Sequence, residues 1–382
     1  MYKFSVPMPY TKEHIDKIIN INKQVTKSKI TSLYAGLPST CNMFSGFEQC
    51  RNSCLNQTDF DYWKNLFSYS MERGCDFIYL LNSPLAFNTE NINFRKRFEK
   101  LDKLLNQLYK IGINKLRVAN PQLSSYLYRH YKQFNIYAST SLNYKTISEY
   151  KNLIQMHPEI KQIVPSHDLN KNFRFLKNLT KNYPTLNIEI IVNEGCMKGC
   201  PHRSLHENVN SNFKFNMSDL SLSENYCITF CTYLSEKYPF KSLTLNNNIF
   251  PWELEEYSKI GINNFKLVGR DTYNQEIEYS IIKYYLYFLA IENLKKIEYN
   301  PITTFIHHLN SNEILNQLSI KDVFNYLPKI NYFKKYAHLC SSRCGVECFY
   351  CYKCAEKIQK VFEKKIKEKS KQPHYVPACN IS

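Results

Sequence analysis

Short apolar runs alternate with longer amphipathic stretches along most of the chain. The short runs predict β-strands over residues 3–8, 30–36, 77–82, 115–120, 135–139, 161–165, 188–193, 242–246 and 264–268. Between them, apolar positions recur at helical spacing and predict helices over 11–27, 59–73, 94–111, 123–133, 146–156, 170–182, 220–237 and 252–260. In the first helix Ile15, Ile18, Ile19 and Val25 supply the apolar face, with Thr11 as its N-cap. Strict alternation of strand and helix means parallel pairing with helical crossovers. Nine strand candidates for eight places predict an α/β chain folded as a (β/α)8 TIM-barrel-like domain with one extra short strand. The alternative is an open doubly wound sheet, but no GxGxxG follows the first strand.

Past the last strand the pattern changes. A long aromatic helix over 273–294, with Ile277, Ile281, Tyr284, Tyr285 and Phe288, is expected to pack on the barrel. The domain division is therefore a barrel over 1–300 and a cysteine-rich helical extension over 301–382. That extension contains a lysine-rich helix over 355–371 and ends in a tail of disordered composition.

Composition refines this picture. At 382 residues and 43% hydrophobic, the chain affords a sizeable core, and wholesale disorder is excluded. No apolar run reaches the length of a membrane span and the start does not read as a signal peptide, so a cytoplasmic protein is expected. The formal charge of +17 has two readings. One is attraction to RNA or another anionic partner. The other is a genome biased toward Lys, Asn, Ile, Tyr and Phe codons.

The fourteen cysteines carry the most chemistry. In a cytosolic chain they point to metal or redox ligands rather than disulfides. Cys196 and Cys200 form a CxxxC at the end of the strand over 188–193, and Cys227 and Cys231 form another. Four thiolates from two such pairs suit an iron–sulfur cluster, though zinc accepts four thiolates too. Cys227 and Cys231 would alternatively share the buried face of a helix. A second set, Cys340, Cys344, Cys348, Cys351 and Cys354, is dense enough for its own zinc or iron–sulfur site. Within it, Cys344, Cys348 and Cys351 spell CxxxCxxC, which resembles the radical S-adenosylmethionine motif. That motif normally follows a first barrel strand, whereas here it follows the whole barrel.

Several strands end in polar residues, as catalytic barrel faces do: Asn82, Asn120, Ser139 to Ser141, Ser166 with His167, Asn193, and Gly269 with Arg270. Arg203, His202 and His206 follow the first cysteine pair. Arg203, His206 and Arg270 are the candidate catalytic residues, for binding an anionic substrate or moving protons. Local capping or ion pairing is the structural alternative for each. Glu189, on a core strand, is expected to be buried and paired with Lys266 or Arg270.

The run from Glu189 to His206, with Tyr34-Ala35-Gly36, Asn120-Pro121, Ser139-Thr140-Ser141 and the segment from Phe265 to Arg270, resembles the collagenase-like peptidase U-32 family. The resemblance implies a barrel-like fold and a 4Fe–4S cluster held by four cysteines. It also implies relatives that hydroxylate RNA bases or ubiquinone precursors without oxygen, some of them with prephenate as the oxygen source; an electron donor is expected as a partner. The family usually reads His-Gly-Ala/Ser-x-Cys after the strand. Here Asn193-Glu194-Gly195-Cys196 is one residue shorter, and the remaining cysteine spacings differ too; Cys196 and Cys200 carry over, Cys227 and Cys231 by position only, and Cys41 stands in reserve as a ligand. No HExxH or GxSxG is present to support proteolysis. The expected function is an iron–sulfur enzyme modifying RNA, a peptide or a small molecule. The alternatives are a radical S-adenosylmethionine-type enzyme, a peptidase, and a cluster-bearing binding protein without catalysis. Oligomeric state is not legible.

Overall fold

The structure is a computed structural model that describes residues 1–49, 58–84, 94–204, 207–208, 247–269, 279, 281–283, 285–286 and 348–369. Eight parallel strands close into a barrel in sequence order: β1 (Tyr2–Pro7), β2 (Ser28–Ala35), β3 (Asp76–Leu81), β4 (Lys115–Val118), β5 (Asn135–Ala138), β6 (Ile160–Ile163), β7 (Asn187–Ile191) and β8 (Asn264–Lys266). β8 pairs with both β7 and β1, which completes the ring. The expected (β/α)8 barrel is thus observed. The extra strand candidate, 242–246, lies outside the described residues.

Helices α1 (Lys12–Ile21), α2 (Phe60–Glu72), α3 (Phe94–Lys110), α4 (Pro121–His130), α5 (Ile147–Met156), α6 (Phe173–Asn182) and α7 (Leu254–Lys259) are the crossovers. Their starts follow local chemistry. Thr11 caps α1 as expected, its hydroxyl accepting from the His14 N–H. Asn120 caps α4 ahead of Pro121, and Thr146 with Glu149 closes a reciprocal capping box on α5. Asn120, read from sequence as a candidate mouth residue, therefore has a structural task.

Strand alternation divides the core in two. Outward-facing Phe4, Leu33, Phe77, Leu116, Ile136, Ile190 and Phe265 join the helices in one continuous apolar cluster. Residues paired in register with one another face the lumen: Ser5 with Lys266, Tyr34 with Ile78, Leu80 with Arg117, and Tyr137 with Gln162. Tyr34, Ile78 and Leu80, with Tyr137 against them, form a small apolar cluster of their own there. Beside it the lumen carries buried charged side chains. Arg117 on β4 pairs with Glu189 on β7 at 2.6 Å, and both are buried. Ser5 on β1 donates to Glu189 at 2.7 Å. Glu189 is thus buried and paired as expected, but the partner in the structure is Arg117. Lys266 lies 4.2 Å over the ring of Tyr34.

The described residues within 279–286 are helical and pack on the barrel, where the Tyr285 hydroxyl donates to the Ile249 carbonyl at 2.6 Å. The C-terminal helix α8 (Tyr350–Lys369) begins five residues before its expected start at 355. Cys351, Cys354, Ile358 and Phe362 lie one helical turn apart and join the main apolar cluster. No helix among the described residues is long and apolar enough to cross a membrane.

Candidate active site at the barrel mouth

The C-terminal strand ends carry the ionisable cluster. After β7, Asn193 spans to the segment following β8: its amide donates to the Val268 carbonyl and its oxygen accepts from the Val268 N–H, both at 2.7 Å. That pins the loop base from which Glu194, Gly195 and Cys196 emerge. The Cys196 N–H donates to Glu194 at 3.1 Å, and its carbonyl accepts from the Asn247 backbone at 3.0 Å and side chain at 3.2 Å. Cys196 is buried and Cys200, four residues on, is half-buried. Between them Gly199 takes φ +69°, a left-handed turn that favours glycine, and its N–H donates to Asp168 at 2.9 Å.

Arg203 reaches back over this loop. Its Nη2 lies 3.3 Å from Glu194, from Glu207 and from His167 Nδ1, and the side chain is buried. Burial alone would lower the guanidinium. Cys196, Glu194 and Glu207 outweigh it and hold Arg203 well above its ordinary value. Burial and the Arg203 charge push His167 down to about 4, against the pull of Glu194, Asp168 and Glu207. Its imidazole is therefore neutral at pH 7. Burial also pushes Asp168 up, but the Gly199 N–H, His167 and Lys145 outweigh it and hold the carboxyl below its ordinary value. Lys145 is 3.2 Å away.

On the other side Glu207 accepts from Gln49 at 2.8 Å and from the Ser141 hydroxyl at 3.1 Å, and Gln49 accepts from Asn82 at 2.9 Å. One connected network therefore joins loops that follow β2, β3, β5, β6 and β7. A second buried carboxyl, Glu48, accepts from Tyr79 at 2.6 Å and from Ser45 at 2.7 Å, and burial pushes it up.

Of the residues singled out in the sequence, Cys196, Cys200, Arg203, Asn82, Ser141 and His167 converge at this mouth. His206, Arg270, Cys227, Cys231, Cys340 and Cys344 lie outside the described residues. Cys348 is half-buried just ahead of α8, while Cys351 and Cys354 are buried on its core-facing side. Gln49, Glu194, Glu207 and Asn247 went unnoticed. Glu194 was legible, since it sits in the turn before Cys196; Gln49 and Glu207 carried no spacing signal.

Soft-metal ligation fits the chemistry of the β7 loop. It presents two thiols, one of them buried with its backbone fixed on both sides. The other two cysteines of the expected set, Cys227 and Cys231, lie outside the described residues, and among the described residues no three metal-binding side chains converge.

Fold and site together define a (β/α)8-barrel protein with a buried ionisable network and a cysteine-bearing loop at its C-terminal mouth. The model of peptidase family U32 matches residues 20–301, and the chain belongs to that family. An uncharacterized protease of Methanocaldococcus jannaschii is 22% identical over 260 residues, covering 67% of this chain and 71% of its own length. A solved U32 peptidase superposes with TM-score 0.43 at 11% identity, over 70% of this chain and 93% of that one. A Clostridium difficile protein solved in complex with mannosamine gives TM-score 0.35 at 10% identity, over 95% and 99%.

Proposed function

We propose that the chain is an iron–sulfur enzyme whose reaction takes place at the barrel mouth. It would modify RNA, a peptide or a small molecule by hydroxylation without molecular oxygen. The observation that carries this reading is the placement of Cys196: buried at a strand end, backbone-clamped, and electrostatically coupled to the buried Arg203. Cys196 and Cys200 would hold the cluster together with Cys227 and Cys231. Bound there, the cluster would supply electron transfer or Lewis acidity to a substrate in the mouth. Around it, Glu194 and Glu207 hold Arg203 by two ion pairs, so Arg203 maintains charge balance beside the thiol. Asp168 and Asn247 fix the loop that carries both cysteines.

The test is anaerobic purification with iron and sulfide counted, an EPR spectrum of the reduced protein, and nucleoside mass spectrometry of RNA from cells with and without the protein. Cys196→Ala should lose the cluster's iron and the activity. Full iron content in Cys196→Ala, or peptide cleavage by a protein free of iron, would refute the reading, and the latter would favour a peptidase.

A further inference from the structure

The mouth network ties up most of its polar atoms and leaves some over. Among the described residues, His167 Nε2, Asn82 Oδ1, Arg203 Nε and Asn247 Oδ1 are buried without a hydrogen-bond partner. His167 is 3% exposed, Asn82 6% and Arg203 8%. Buried polar atoms of this kind are uncommon in folded proteins, and a water, an ion or a ligand can complete them.

The network also fixes what each atom offers. A guanidinium only donates, so His167 Nδ1, 3.3 Å from Arg203 Nη2, is the acceptor. Glu194 lies 3.8 Å from the same nitrogen, too far to take a proton from it in a hydrogen bond. Thr140 Oγ1 also lies 3.4 Å from Nδ1, the longer of the two contacts; with the guanidinium donating to Nδ1, the neutral ring carries its hydrogen on Nε2, which makes that atom a donor. On the far side, the Glu207 carboxylate accepts only, so it fixes the Gln49 NH2 toward itself. The Gln49 oxygen then takes the Asn82 NH2, and Asn82 Oδ1 is left as an acceptor.

We propose that His167 Nε2 and Asn82 Oδ1 form a built subsite for an uncharged polar part of the substrate. His167 donates to a substrate oxygen from Nε2, and Asn82 accepts a substrate N–H or O–H. Arg203 Nη2 and Gln49 act as positioning groups that fix the His167 tautomer and the Asn82 amide. The subsite disfavours an anion because the single guanidinium is already met by two carboxylates, Glu194 and Glu207. An amide, or a carbonyl next to an N–H or O–H, matches the donor and the acceptor. This assignment rests on reading the mouth as the place of reaction.

The test soaks crystals of the full chain, grown without oxygen at pH 7, in acetamide or in acetate at equal concentration. Acetamide is expected with its oxygen on His167 Nε2, and acetate is expected to be absent. His167→Phe and, separately, Asn82→Leu should each reduce amide occupancy several-fold. Arg203→Met should do the same, while Arg203→Lys, which keeps a donor for Nδ1, should retain it. Arg203→Met also strands Glu194 and Glu207, so occupancy is compared only between variants whose urea midpoints show them folded. The proposal is overturned if acetamide never reaches Nε2 in the wild-type protein, if acetate binds there as well as acetamide, or if His167→Phe leaves occupancy unchanged. Amide binding requires no turnover, so failure of the iron–sulfur reading leaves this result intact. A turning-over enzyme that ignores acetamide would sink the subsite alone.

Discussion

Replacing Glu189 by Ala should be among the most damaging single changes in the barrel. The pair it breaks is a 2.6 Å contact between side chains 0% and 4% exposed. At an effective dielectric of about 20, the Coulomb attraction is about 6 kcal/mol before desolvation is subtracted. Removing one partner strands the other. Arg117 Nε and Nη1 already lack partners among the described residues, and Ser5 would lose its acceptor. Breaking a buried pair costs about 3–5 kcal/mol, and the lost Ser5 bond adds about 1 kcal/mol. Total stabilities lie at about 5–15 kcal/mol, so the loss is a large share. Urea unfolding by circular dichroism measures it. The decisive comparison is the double variant Arg117→Met with Glu189→Leu, which removes both charges and fills the lumen with apolar atoms. It should recover most of the loss. A Glu189→Ala variant within about 1 kcal/mol of wild type would refute the argument. So would a double variant no more stable than the singles.

Acid should expose His167. Its folded pKa of about 4 lies below the ordinary 6.5, so the unfolded chain binds the proton first and stability falls as pH drops from 6.5 toward 4. The loss is about 3 kcal/mol in full; urea midpoints at pH 7 and pH 5 should show a steeper decline for wild type than for His167→Gln, and equal slopes would contradict it. Cys348→Ala should leave the iron of the β7 loop in place, whereas Cys354→Ser should cost about 1–3 kcal/mol by setting a hydroxyl into the core; loss of all iron from Cys348→Ala would show that the two cysteine sets share one site. If RNA is the substrate, its affinity should fall steeply with salt. Lys357→Glu with Lys364→Glu, both exposed on α8, should weaken it, and filter binding that is indifferent to both salt and charge reversal would exclude α8 from the contact.

The barrel was legible because strand periodicity and helix caps are local. The run from Ile188 to Val192 reads as a buried strand without knowledge of its neighbours, and Thr11 marks a helix start by its own hydroxyl. Pairing across the barrel was not legible. Nothing in the spacing of Arg117 and Glu189 foretells their meeting, because closure of the ring brings β4 opposite β7. The start of α8 was misplaced for a related reason. Cys351 and Cys354 read as ligands by density, yet their spacing continues through Ile358 and Phe362 as one apolar helix face. A cysteine counts as a small hydrophobe as readily as a ligand, and only the position of a partner distinguishes them.

Partners from distant loops bear on the chemistry at the mouth as well. Read alone, Arg203 beside two cysteines and two histidines suggests a clamp for an anion. In the fold, Glu194 arrives from the strand end and Glu207 from the following turn, and both sit 3.3 Å from the guanidinium. A buried charge so matched has little attraction left for a second anion, because each carboxylate already repays its desolvation. What it retains is direction, since its donors hold the neighbouring imidazole in one tautomer. On the subsite proposed above, recognition would pass from Arg203 to His167, a residue whose sequence context, Ser166-His167 at a strand end, was noticed for its place and not for its proton.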